Sequence, residues 1–325
     1  MKAMCCLLSV TAFVLVVSSQ ASAGDNYALV ITGASGGEVY AKKYDEWRRT
    51  FVSTLREKFA YPADHVVVLA ERKEPGVAPA TRDQVRRTLL DLRSRLTKDD
   101  LLVVLLVGHG TSAEGLGSAG EDAKFNLVGP DLAATEWASL LKPLTARLVF
   151  VDTTSVSFPF IHRLAGPGRI VITATDSTAQ EFETVFGEWF VKAFTEPAAD
   201  ADKNGRVSML EAFTYASAGV RRSFEERNQL PTERPLLNDD GDGVGREAQA
   251  TGPDGALARA TYLQPVGVPP EIARRELTAR QAALEAEIEA LKVRRSAMPL
   301  DAYQAELERL LLELAKVSAE LRSKS

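Results

Sequence analysis

Two hydrophobic rhythms alternate along the chain from Asn26 to about Glu225. Short, continuous apolar runs recur: YALVIT (27–32), HVVVLA (65–70), LLVVLLV (101–107), RLVFV (147–151) and RIVITA (169–174). Runs of this length, rich in β-branched residues, suit strands buried on both faces. Between them apolar residues return every three or four positions. Tyr44, Trp47, Phe51, Leu55 and Phe59 share one helical face, as do Val85, Leu89, Leu92 and Leu96. FGEWFVKAF (186–194) and MLEAFTYASAGV (209–220) read as two further helices. Strand–helix alternation predicts an α/β fold, a mostly parallel sheet covered by helices on both faces.

The rhythm fades over 226–269, where Gly, Pro, Asp and Asn dominate and an acidic loop region is predicted. A helical spacing returns in Leu277, Leu284, Ile288 and Leu291, and again in Tyr303, Leu307, Leu310, Leu314, Val317 and Leu321. The break SAMPLD (296–301) separates them, so 270–325 is predicted to be an antiparallel helical hairpin with coiled-coil-like seams, open to self-association.

Composition adds little to the fold. The 325 residues are 45% hydrophobic and 26% charged, with a formal net charge of −5, which leaves no electrostatic footprint for nucleic acid. The N-terminus changes the picture more. Lys2, the apolar MCCLLSVTAFVLVV (4–17) and Ala21-Ser22-Ala23 form a charged, hydrophobic and cleavable sequence, predicting a signal peptide over 1–23. The expected location is secreted or periplasmic, with no membrane span once the signal is removed. Both cysteines, Cys5 and Cys6, fall in that segment. A chain starting at Gly24 therefore has no thiol for disulfides, metal sites or nucleophilic catalysis. Residues 24–225 then form the α/β domain.

Three loops attract attention at strand ends. ALVITGASGGEVY (28–40) looks like the glycine turn of a short-chain dehydrogenase, but Val39 stands where its last glycine belongs and Glu38 where phosphate would lie. The run 101–107 ends in Gly108-His109-Gly110, a histidine in a turn at the edge where open α/β sheets keep their ligands. The run 147–151 ends in Asp152-Thr153-Thr154-Ser155-Val156-Ser157-Phe158, an acid and a cluster of hydroxyls.

The order strand, His-Gly, strand, acid and small residues resembles the caspase–legumain–gingipain group. In caspases the histidine precedes the cysteine by about 50 residues; here 155 − 109 = 46 separates His109 from Ser155. The resemblance implies a caspase-like fold over roughly 26–225. It implies His109 as general base, Gly110 as its oxyanion-hole neighbour and Asp152 as the acid before the nucleophile. Counting from Asp152 puts Thr154 at the cysteine position, and counting from Ser157 puts Ser155 there. A hydroxyl needs a stronger, oriented base than a thiol does, and Phe158 replaces the usual glycine. Three readings are open: a catalytically degenerate domain binding a peptide or protein, a serine- or threonine-variant endopeptidase, and an unrelated α/β ligand-binding domain.

DADKNGRVSMLE (200–211) matches a calcium loop at each key position. Asp200, Asp202, Asn204, Ser208 and Glu211 supply side-chain oxygens, Arg206 its carbonyl and Gly205 the sharp turn. Ca²⁺ is the expected ion. The competing reading is an acidic turn with a Ser208–Glu211 capping box. NDDGDGVG (238–245) repeats half of the pattern, but the twelfth position is Gln249, so a rigid turn or a partial cation site is expected there.

Overall fold

A computed structural model describes residues 24–112, 123–178, 183–265, 270–295 and 298–323. The predicted signal segment, with both cysteines, lies outside the described residues. The strands are β1 (Asn26–Thr32), β2 (Val66–Ala70), β3 (Ala78–Pro79), β4 (Leu101–Val107), β5 (Gly110–Thr111), β6 (Lys124–Phe125), β7 (Leu132–Ala133), β8 (Arg147–Asp152), β9 (Arg169–Thr173) and β10 (Leu236–Asn238). The helices are α1 (Glu38–Ser53), α2 (Arg82–Arg95), α3 (Ala134–Leu141), α4 (Pro159–Leu164), α5 (Phe186–Ala193), α6 (Met209–Glu225), α7 (Ala256–Ala260), α8 (Pro270–Val293) and α9 (Leu300–Ser323).

Seven strands form the main sheet in the order β10-β9-β8-β4-β1-β2-β3, all parallel except the edge strand β10. The predicted α/β class is what the structure has. Alternate residues of each strand feed opposite faces. Ala28, Val30, Val103 and Leu105 meet Trp47 and Phe51 of α1 and Phe190 of α5. Leu29, Ile31, Val104 and Leu106 meet Leu89 of α2, Trp137 of α3 and Phe160 of α4. With both faces covered, every residue of β4 is buried.

Chain order reverses between β1 and β4: successive strands go outward to β2 and β3 on one side, then to β8, β9 and β10 on the other. The connections leave this point in opposite directions, which makes the C-terminal ends of β1 and β4 the place where sheets of this kind form a ligand crevice. Both Gly108-His109 and the turn after β1 lie there. A small antiparallel sheet, β5-β6-β7, packs beside it.

The loop predicted over 226–269 is in part a structural element. Leu236–Asn238 pairs antiparallel with Val171–Thr173, and Leu236, Leu237, Ala258 and Leu263 are buried. Three strand residues among glycines and aspartates are too few to show a periodicity. The C-terminal helices pack on each other around Leu284, Ile288, Leu291 and Leu310. Among the described residues no helix is long and apolar enough to cross a membrane.

Phe150 of β8 lies between Trp137, edge-on at 5.5 Å, and Phe160, stacked at 5.8 Å. Phe150→Ala is expected to lower stability by about 3–5 kcal/mol through lost burial and a cavity. Urea unfolding checks this; a loss below about 1 kcal/mol would contradict the layer described for this face.

Candidate functional site

The crevice is built by three strand ends held in register. Gly33 N–H donates to the Val107 carbonyl at 2.9 Å, and Thr153 N–H to the Leu106 carbonyl at 3.1 Å. The Thr153 hydroxyl donates to the same Leu106 oxygen at 2.9 Å. The small sheet fixes His109 from the outer side: Asn126 N–H donates to the His109 carbonyl, and the Asn126 carbonyl accepts from Ala34. The structure therefore brings the Gly33–Ser35 turn, His109-Gly110 and Asp152–Thr154 to neighbouring strand ends.

The His109 ring is engaged from the α1 side. Its Nε2 lies 3.1 Å from the Ser35 carbonyl, which can only accept, so the hydrogen-bond network puts a proton on Nε2. The Tyr44 hydroxyl lies against the same ring, 3.3 Å from Nε2 and 3.5 Å from Nδ1. Tyr40 meets the ring edge-on at 4.8 Å. Burial first, then the nearby Glu183 carboxylate, raise the Tyr44 phenol well above its usual range, so it stays a donor. Glu183 itself pairs with Lys43 at 3.0 Å. The sequence alone does not single out Tyr44, Ser35 or Glu183. Tyr44 reads there as one more apolar member of the α1 face, and only its hydroxyl, at the end of that face, reaches the histidine.

The hydroxyl loop faces other partners. Asp152 is the last residue of β8 and is 0% exposed. Its Oδ1 accepts from Thr154 N–H at 2.9 Å, while Oδ2 has no hydrogen-bond partner among the described residues. Thr154 Oγ1 is likewise buried and unpartnered. It lies under Gly110, where an added Cβ would stand 2.8 Å from Thr154 Oγ1 and 2.4 Å from Val156 Cγ2. Glycine at 110 is thus required by close approach. Ser157 Oγ accepts from Ala174 and Thr175 amides and serves the loop's own backbone. Ser155 is half-buried, and its carbonyl accepts from the Thr175 hydroxyl at 3.2 Å. Among the described residues, neither Thr154 nor Ser155 is hydrogen-bonded to His109, and Asp152 does not contact the ring through a hydrogen bond.

The glycine turn after β1 is closed by an acid. Both the amide and the hydroxyl of Ser35 donate to Glu71 Oε2, at 3.1 and 2.6 Å. A carboxylate occupies the donor that a phosphate would need.

The calcium-type loop folds as its pattern requires. Gly205 takes a left-handed φ of +82°, and its amide donates to Asp200 Oδ2 at 2.8 Å. Carboxylate oxygens of Asp200, Asp202 and Glu211 lie within 4.8 Å of one another. Asn204 Oδ1 accepts from Arg206 N–H at 2.9 Å. The capping box is also formed: Ser208 N–H and Oγ donate to Glu211 Oε2, and Glu211 N–H donates back to Ser208 Oγ. Burial alone would raise Glu211, but hydrogen bonds from Ser208, Asp202 and Ala201 outweigh it and lower the carboxyl. The capping box thus uses the same carboxylate that the calcium pattern puts at its twelfth position.

Burial pushes Asp152 up to about 7, with the Thr154 amide and then its hydroxyl working against it. The folded state then holds a proton that the unfolded state releases near pH 4. Its contribution to stability is complete in acid and is lost as pH rises from about 4 toward 7. Asp152→Asn imitates the neutral form and keeps an acceptor for Thr154. It should flatten this part of the stability–pH curve and add on the order of 1–3 kcal/mol at pH 8. Parallel pH-dependent melts would count against this if parent and variant tracked each other from pH 4 to 8.

No protein-family profile matches the chain, and no curated protein matches it. Solved structures do. A protein from Geobacter sulfurreducens is 16% identical, with a TM-score of 0.44 over 75% of this chain and 99% of that one. A secreted C11 cysteine protease from Bacteroides thetaiotaomicron, solved with an irreversible peptide inhibitor, is 10% identical, with a TM-score of 0.38 over 68% of this chain and 67% of that one. At these values the fold rests on the sheet order and register seen directly in this chain.

Proposed function

We propose that the chain is a caspase-like domain that keeps the histidine turn but not a working nucleophile, and that the same sheet edge binds a peptide or protein partner. The observation that supports this best is the division of the crevice. His109 is held by Ser35 and Tyr44, while the hydroxyl at one candidate cysteine position, Thr154, is packed beneath Gly110. Activating a hydroxyl takes a base within hydrogen-bond reach and a third group to orient it. Asp152, buried and half-neutral near pH 7, supplies no such orientation. Binding has better support, because Tyr40, which meets the ring edge-on, is 37% exposed, and its neighbour in the chain, Val39, is 78% exposed.

The variant-peptidase reading keeps one supporting observation. Ser155 is the more accessible of the two candidate hydroxyls, and catalytic contacts tighten on substrate binding. A serine-directed phosphonate probe separates the two. The expected result is no labelling of the full chain beyond that of His109→Ala. Labelling that disappears in His109→Ala would establish the enzyme instead. An unrelated ligand-binding role stands as the third reading, served by the same crevice.

Export is part of the proposal and rests on the leader-like 1–23. Self-association through the C-terminal helices would use the outer positions Leu311 and Leu312, since the inner seam is filled within one chain.

Ca²⁺ is the proposed ion of loop 200–211, held by Asp200, Asp202, Asn204, Ser208 and Glu211 with the Arg206 carbonyl. The converging carboxylates and the left-handed Gly205 support this. Millimolar Ca²⁺ should stabilise the chain by about 1–2 kcal/mol, given a weak extracellular-type site. The melting temperature should rise, and rise less in Asp200→Ala. An unchanged melt with Ca²⁺, or an equal rise in the variant, contradicts the assignment.

A further inference from the structure

Residues 238–254 hold a second set of oxygens that the twelve-residue count misses. Carboxylate oxygens of Asp240, Asp242 and Asp254 lie within 4.8 Å of one another. Asp254 comes 254 − 238 = 16 residues after Asn238, rather than at the position of Gln249. The fold delivers it: the Leu237 and Arg246 backbones exchange two hydrogen bonds that close the loop, and Asp239 accepts from Gly255 and Ala258 at 2.7 Å each.

The independent sign of a ligand is Asn238. Its side chain is 0% exposed and its amide points into the cluster. One nitrogen, Nδ2, faces three acceptors: Asp240 Oδ1 at 3.0 Å, Asp242 Oδ1 at 2.8 Å and the Val244 carbonyl at 3.3 Å. Two hydrogens cannot serve three oxygens fully. At the other end of the same amide, Oδ1 is buried with no hydrogen-bond partner. A buried amide left like this is costly. Turning it by half a revolution keeps its shape and puts Oδ1 among the other oxygens, an arrangement that only a cation makes favourable.

Charge agrees. Arg246 pairs with Asp242 Oδ2 and Asp254 Oδ2 at 3.1 Å each, yet the buried Asp254 Oδ2 has no hydrogen-bond partner among the described residues. Three carboxylates and one guanidinium leave a formal −2 (−3 + 1).

We propose that Asn238, Asp240, Asp242 and Asp254, with the Val244 carbonyl, form a second divalent-cation site, and that it takes Ca²⁺. The donors are all oxygen, which selects a hard cation. They mix carboxylate, amide and carbonyl in one irregular loop, which suits Ca²⁺ better than the strict octahedron of Mg²⁺.

Equilibrium dialysis of the full chain against ⁴⁵Ca²⁺ tests this separately from loop 200–211. With that loop disabled by Asp200→Asn and Asp202→Asn, one ion per chain should remain bound. This arm changes nothing in 238–254, and finding no bound ion overturns the proposal. Adding Asp242→Asn, or separately Asp240→Asn, should weaken the remaining site by about tenfold or more. Unchanged affinity in both also overturns it. Failure of the 200–211 assignment would look different: Asp200→Asn and Asp202→Asn would leave the parent's calcium binding intact.

Discussion

The structure depends on the pairing of β4 with β1 on one side and β8 on the other. Every residue of β4 is buried, so its backbone groups can be satisfied only by the two neighbouring strands. Apolar side chains on both faces do not by themselves choose a register, since a slip of one residue exchanges one apolar set for another. The choice is made at the C-terminal ends. Gly33 bonds to Val107, and Thr153 bonds to Leu106 through both amide and hydroxyl. The contacts that fix the register also place His109 beside the Ser35 turn and the Asp152–Thr154 loop. Site geometry and sheet stability are therefore the same set of hydrogen bonds at this edge.

This dependence explains which parts of the molecule the sequence reveals. Strands β1, β2, β4, β8 and β9 announce themselves because a strand covered on both faces must be apolar throughout. Helices α1 and α2 do so because one face meets the sheet. The two-residue strands β5, β6 and β7 and the edge strand β10 carry no such pattern, and only tertiary pairing defines them. At the site, residue types are legible and partners are not. Asp152 reads as a loop acid, yet it closes β8 and is completely buried. Tyr44 reads as core, yet its hydroxyl reaches His109. A periodicity reports which side of an element is covered, not where the polar end of an amphipathic side chain goes.

The crevice holds polar atoms that a packed core would avoid. Asp152 Oδ2 and Thr154 Oγ1 are both buried without partners. Each such atom costs about 1–3 kcal/mol relative to a satisfied one. Both belong to the end of β8 and the loop after it, with Thr154 Oγ1 against Gly110, while the His109 ring meets Tyr40 and Tyr44 of α1.

Residues 226–265 are better understood as part of the α/β domain than as a linker to the C-terminal helices. Edge strand β10 is only three residues long, and short edge pairings are weak alone. The chain beyond β10 compensates at successive points. Asp239 caps α7, Thr261 accepts from the Met209 amide, and the Arg206 guanidinium stacks 3.9 Å from the Tyr262 ring. The Leu263 carbonyl then accepts from Asn26 and Tyr61, at the far end of β1. The segment thus runs from one end of the sheet to the other along α6, fastened by contacts with both acidic loops. An ion in either loop would act on this strap: loop 200–211 meets it at 261–264, and loop 238–254 is its beginning. The acidic loops are therefore placed to set how firmly the antiparallel edge is held, at a distance from the His109 crevice and without touching it.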